Sequence, residues 1–184
     1  MKNAVVLHGT DANSKDNWFP WLKKELEKRG YTVWVPDLPK ANRPNIKRYN
    51  EFILKNRNWQ PNEETILIGH SSGAVAVLGL IQALPANVFI KKAILVAPFT
   101  NDLGWDSLKD LFEPPLDYAK IKHHAKEFII LHSDNDPYIP MKQAEEISKR
   151  LNTPLNIQHK QGHFAISSDP KYKEFPLLLT LIPE

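Results

Sequence analysis

The spacing of hydrophobic and polar residues changes period repeatedly along the chain. Six short apolar runs, at 4–7, 32–35, 65–68, 93–97, 128–131 and 155–158, are bounded by turn-forming residues, which predicts strands. Between them the period lengthens to that of a helix. Trp18, Trp21, Leu22, Leu26 and Arg29 recur along one helical face, and Gly30 is placed to stop it. Residues 45–57 carry Ile46, Tyr49, Phe52 and Ile53 on a second stripe, and 74–84 is apolar on every side, as a buried helix is. Residues 140–151 begin at Pro140, a residue suited to a first helical turn, and carry Met141, Ala144, Ile147 and Leu151 on one face. The tail at 171–182 ends in an apolar run that predicts a docking helix, started or interrupted by Pro176. The stretch 99–120 reads as one long connection, either a cavity wall or a plain surface excursion.

Strands that alternate with helices predict an α/β fold: a six-stranded parallel sheet with helices on both faces, a three-layer sandwich joined by right-handed crossovers. Ligands of such sheets gather outside the carboxyl ends of the strands, so the chemistry is expected in the segments that follow strands. The 184 residues suit one domain, 1–184. The absence of cysteine excludes disulfides, a thiol nucleophile and thiolate-bound metal, and no cofactor is expected. The net charge of +3 comes from scattered lysines, such as Lys23-Lys24, without the basic stripe interleaved with aromatics that a nucleic-acid partner requires. The opening apolar run is too short for a signal peptide and nothing is long enough to cross a membrane, which leads to an expected cytoplasmic location. No G-x-G-x-x-G or P-loop follows the first strand, so a nucleotide-binding sheet lacks support.

The densest chemical signal is at 65–80. A β-branched run is followed directly by Gly69-His70-Ser71-Ser72-Gly73, which matches G-x-S-x-G, and then by the apolar helical stretch. Strand, sharp turn and helix are the context of a nucleophile elbow, which lifts a serine hydroxyl clear of the sheet. A side chain at Gly69 or Gly73 would crowd a strand and helix that meet so tightly. A serine is a weak nucleophile at neutral pH and needs a base oriented by a third group, expected in the order serine, acid, histidine. On the loop after 128–131, Asp134 and Asp136 compete as the acid. Asp136 is favoured, because Pro137 fixes its exit and the next helix follows at once. After the last strand, Gly162-His163-Phe164 offers His163 as the base, with His159 as runner-up. His70 is expected to pack rather than react, and His132 could lie under the site; His123 and His124 are expected to be solvated. A developing oxyanion needs two preorganised donors. Ser72 N–H, at the start of a helix, and Thr10 N–H, after Gly9, are the candidates. Phe99, Trp105 and Tyr138 are candidates for an apolar substrate pocket.

Taken together, these motifs resemble the α/β-hydrolase superfamily and, more narrowly, the small serine hydrolases related to retinoblastoma-binding protein 9. The resemblance runs from Val6-Leu7-His8-Gly9 through the helix after Trp18, Ile68-Gly69-His70-Ser71-Ser72-Gly73-Ala74, Thr100-Asn101-Asp102-Leu103-Gly104 and Asp136-Pro137-Tyr138-Ile139-Pro140 to Gly162-His163-Phe164. It implies strand order 2-1-3-4-5-6 without a large lid, a triad of Ser71, Asp136 and His163, and action on small acyl esters or amides; thioesters suit the same chemistry. Two departures matter. Thr10-Asp11-Ala12-Asn13-Ser14 replaces the glycine-rich run of some relatives, and the retinoblastoma-binding motif contains a cysteine that this chain lacks, so no such partner is carried over. The competing expectation is a catalytically weak module that binds a protein through 99–120.

Overall fold

All six predicted strands enter one sheet. The computed structural model describes residues 1–57 and 59–183. Its strands are β1 (Asn3–Leu7), β2 (Thr32–Trp34), β3 (Thr65–His70), β4 (Ile90–Val96), β5 (Ala125–Ser133) and β6 (Leu155–Gln158). They are parallel in the order β2-β1-β3-β4-β5-β6, as the resemblance implies. The helices are α1 (Phe19–Lys28), α2 (Ile46–Leu54), α3 (Ser72–Gln82), α4 (Tyr118–His124), α5 (Met141–Leu151) and α6 (Pro176–Thr180).

Successive side chains of a strand point to opposite faces, so each strand feeds two cores. Ala4, Val6, Ile66, Ile68, Ile94, Val96 and Leu131 face one core, which Phe19, Leu22 and Leu26 of α1 and Leu178 of α6 close. Val5, Leu7, Leu67, Ala93, Leu95 and Ile130 face the other, closed by Tyr49 and Ile53 of α2, Ile121 of α4, Ala144 and Ile147 of α5, and most of α3. All eleven residues of α3 are buried, which explains why its sequence has no polar face.

Four differences from the pattern reading have physical causes. β4 begins at Ile90 rather than 93 because Lys91 and Lys92 join the strand. Lys92 is tolerated there although only 7% exposed, because its ammonium donates to the Leu181 carbonyl at 2.6 Å and lies 3.2 Å from Glu127. β5 extends back to Ala125 to pair with this longer β4. The stretch 99–120 is not one structureless connection: it contains a 3-10 turn, Asp106–Leu108, and the start of α4, whose cap Asp117 accepts from the N–H groups of Ala119 and Lys120 at 3.0 Å each. The expectation of solvated histidines fails at His124, which is buried with Nδ1–H donating to the Val88 carbonyl at 2.8 Å, while His123 is exposed. In the tail Pro176 starts α6, as a first-turn proline does, and a 3-10 turn at Pro170–Lys173 precedes it. Among the described residues no helix is long and apolar enough to cross a membrane.

The segments after β1, β3, β4, β5 and β6 all leave the carboxyl edge of the sheet. Their approach depends on small residues. A Cβ on Gly73 would run into the main-chain carbonyl oxygens of Leu7 and His8, whereas the atoms nearest to a Cβ on Gly79 all belong to the side chain of Ile46. Gly79→Ala is therefore expected to cost about 1–3 kcal/mol, the usual cost of overpacking a core, and Gly73→Ala distinctly more, because backbone cannot rotate away. Urea unfolding of the two variants measures the difference; equal losses would contradict the close approach.

Candidate active site

Ser71 caps α3 with φ 56° and ψ −125°, a region costly for any residue with a Cβ. Its N–H donates to the Val96 carbonyl at 2.8 Å, which pins the turn to β4. A Cβ on Gly69 would strike the backbone of Gly73 and Ala74, so strand and helix meet at the distance that only glycine permits. The half-buried hydroxyl lies at the wall of a cavity of about 650 Å³. Among the described residues it makes no hydrogen bond. The His163 imidazole lines the same cavity.

His163 is held at three points. Nδ1 lies 2.7 Å from Asp136 Oδ2, with the two side chains 10% and 0% exposed. Its N–H donates to Ser168 Oγ at 3.0 Å, and its carbonyl accepts from His70 Nε2 at 2.7 Å. Nε2 is the ring nitrogen left for the cavity. Asp136 Oδ1 accepts from the N–H groups of Tyr138 and Ile139 at 2.9 and 3.0 Å. Burial alone would raise the pKa of this carboxyl, but the hydrogen bond from His163, its charge and those two N–H groups outweigh it. The net shift is downward, so Asp136 stays ionised at neutral pH.

The competing residues pair with each other elsewhere. His159 Nδ1 contacts Asp134 Oδ2 at 2.7 Å on the surface, and neither residue lines the cavity. Their exposure, 82% and 37%, leaves nothing to desolvate or orient a reacting group.

Ser72 N–H and Thr10 N–H have no hydrogen-bond partner among the described residues. Ser72 N–H is one of the free donors at a helix start, where the dipole favours negative charge. The side chains of the same two residues are joined, Thr10 Oγ1 donating to Ser72 Oγ at 2.9 Å, so the segment after β1 is tied to the elbow. Gly9 allows the approach: a Cβ there would sit 3.0 Å from Ser71 Cβ. Phe99, Trp105 and Tyr138 all line the cavity, with Leu103, Ile139 and Ile166. Tyr138 packs edge-on against the His163 ring at 5.1 Å and against Trp105 at 6.1 Å. Among the described residues no group of His, Asp or Glu is disposed to hold a metal ion.

The supporting roles of several side chains escaped the sequence reading. Ser133 Oγ accepts from Gln161 N–H at 2.9 Å and Asn135 Oδ1 from Gly162 N–H at 2.8 Å, so the loop that carries Asp136 holds the loop that carries His163 directly. His132 is fully buried and donates through Nε2 to the Ile139 carbonyl at 3.0 Å, closing the turn that presents Asp136. His8 bridges its own loop and the chain after β2, accepting from Leu38 N–H at 2.9 Å. A polar residue at a strand end is the one trace such groups leave in sequence.

Comparison with known proteins places the chain among hydrolases. A family model described as serine hydrolase matches residues 4–183. The hydrolase YdeN of Bacillus subtilis (strain 168) is 26% identical over 183 residues, covering 98% of this chain and 94% of its own. The serine hydrolase RBBP9 of Rattus norvegicus is 28% identical over 174 residues, covering 88% and 86%. The crystal structure of the ydeN gene product from B. subtilis superposes with a TM-score of 0.89 at 25% identity, over 98% of this chain and 96% of that one.

The buried histidines make stability depend on pH. Burial, and then the facing His163 ring, push the His70 pKa down to about 3; burial also lowers His8 and His132. Below the ordinary value near 6.5 the unfolded chain takes up protons that the folded chain refuses, so stability falls as pH drops through about 6.5 toward 3. His70→Gln is expected to flatten that slope by about 1.4 kcal/mol per pH unit. Denaturant unfolding between pH 4 and 7 measures it; an unchanged slope would contradict a neutral, buried His70.

Proposed function

The chain belongs to the serine hydrolase family, whose model spans nearly all of it, and from that premise we propose that it cleaves small carboxyl esters through an acyl-enzyme on Ser71. The observation that carries this reading is the 2.7 Å contact between buried Asp136 and His163 at the wall of the cavity that Ser71 shares. In apo enzymes the nucleophile–base hydrogen bond is often long and tightens when substrate binds.

In the proposed reaction, Ser71 Oγ attacks the ester carbonyl while His163 Nε2 takes its proton. Asp136 keeps the proton of the neutral ring on Nδ1 and balances the imidazolium that forms. The carbonyl electrons move onto oxygen, where the N–H groups of Ser72 and Thr10 receive the charge; removing one such donor typically costs about 3–4 kcal/mol of barrier. Collapse breaks the bond to the leaving alkoxide, which His163 protonates. Water, deprotonated by the same imidazole, then attacks the acyl-serine; the acyl–Oγ bond breaks, the imidazolium returns its proton to Ser71 Oγ, and the acid leaves. Amides and thioesters fit the same steps. The cavity of about 650 Å³, with Phe99, Trp105 and Tyr138 in its wall, offers apolar surface to a short acyl chain or a single ring. The intact acid–base pair counts against a pure binding module.

A fluorophosphonate probe should label the wild-type protein and not Ser71→Ala, read by intact-mass spectrometry. A folded wild type that resists labelling would overturn the esterase reading. Asp136→Asn should lower ester turnover by roughly 10⁴, because the wrong tautomer of His163 would face the serine. Near-normal kcat in that variant would remove Asp136 from the mechanism. Across p-nitrophenyl esters, kcat/KM should fall as the acyl chain lengthens beyond a few carbons; a rise toward long chains would contradict the short-acyl assignment.

A further inference from the structure

One buried imidazole beside the nucleophile has no part in the reaction written above. His70 lies between Gly69 and Ser71, is 3% exposed, and has its Nε2 2.7 Å from the carbonyl oxygen of His163, across 93 residues of sequence. A carbonyl oxygen can only accept, so Nε2 carries the ring proton and Nδ1 is left as a bare lone pair. That Nδ1 is buried without a partner among the described residues, which marks the ring as held for its Nε2–H rather than for general polar satisfaction. The ring is wedged in place: its centroid is 4.7 Å from that of His163, 6.0 Å from Trp18 and 6.1 Å from Phe19.

His70 precedes Ser71 in the chain, and its side chain bonds the main chain of His163. Resting on the esterase reading, we propose that His70 is a positioning residue: its Nε2–H···O bond fixes the distance between the nucleophile and the base. Asp136 sets the rotation of the His163 ring and Ser168 holds the residue's N–H. Neither ties His163 to the elbow. His70 does, and so keeps Nε2 of His163 aimed at the Ser71 oxygen when the cavity is empty. A displacement of about 1 Å between reacting groups can cost on the order of 10² in rate, so this bond belongs to catalysis as well as to folding.

The test uses His70→Leu, His70→Gln and His70→Asn, with kcat and KM for a short p-nitrophenyl ester, the second-order rate of fluorophosphonate labelling, and circular dichroism to certify folding. Leu has no donor, and Asn is too short to reach the carbonyl from the same Cβ; Gln carries an N–H at nearly the reach of Nε2. In His70→Leu and His70→Asn, kcat and the labelling rate should fall about 10- to 100-fold with KM within about twofold. In His70→Gln both should return to within about fivefold of wild type. If His70→Leu does not fold, the Gln and Asn pair decides alone. Wild-type rates in folded His70→Asn, or a folded His70→Gln as slow as His70→Asn, would overturn the proposal. Failure of the esterase reading looks different: wild type itself would show no Ser71-dependent labelling.

Discussion

The tightest constraint in this molecule is the turn at Ser71. Its φ of 56° belongs to the region that side chains avoid, at a cost of about 1–3 kcal/mol, and the surrounding structure over-determines it. β3 enters from one side and α3 leaves on the other, with Gly69 and Gly73 stripped of side chains at the two points where backbone meets backbone. The N–H of Ser71 is fixed to β4. The turn sets the serine apart from the sheet, and the first N–H of α3, like that of any helix, has no intrahelical partner, so one local geometry supplies both a candidate nucleophile and a candidate donor for its transition state.

The remaining chemistry is organised around holding a second loop against that turn. The loop after β6 carries His163 and has little secondary structure of its own. It is fixed by polar groups from its neighbours: Ser133 and Asn135 at the end of β5, Asp136 on the imidazole, and His70 on the main chain. Neutral buried histidines suit this work, because an imidazole donates one strong hydrogen bond and packs as an aromatic ring against Trp18 and Phe19. The same burial makes acid harmful, so the supports of the site and the pH sensitivity of the fold share one cause.

How much of this was legible in sequence follows from how local each signal is. β6 could be read to the residue because its signal is its own period, whereas the sheet order came only from the resemblance. The start of β4 was hidden by Lys91 and Lys92, whose charges are answered by Glu64, Glu127 and a distant carbonyl. Helix α4 was hidden because seven residues with two buried positions leave too short a stripe. At the site, the choice between Asp134 and Asp136 turns on which aspartate meets which histidine, and spacing does not specify that. Pro137 and the resemblance favoured Asp136 and His163; the coordinates add the pairing itself, Asp134 with His159 exposed and Asp136 with His163 buried. The roles of His70 and Asn135 are non-local, since each is defined by a main-chain group on the loop after β6, whereas His132 bonds Ile139 within its own loop.

The arrangement makes its sharpest commitment about where charge goes when Ser71 reacts. A crystal structure of the protein carrying a covalent phosphonate, a stable mimic of the tetrahedral intermediate, reads that directly. The account predicts the phosphorus on Ser71 Oγ, its oxygen within about 2.7–3.1 Å of both the Ser72 and Thr10 nitrogens, and His163 Nε2 facing the serine oxygen. A phosphonyl oxygen turned away from both nitrogens, or His163 swung out of reach of the adduct, would contradict it.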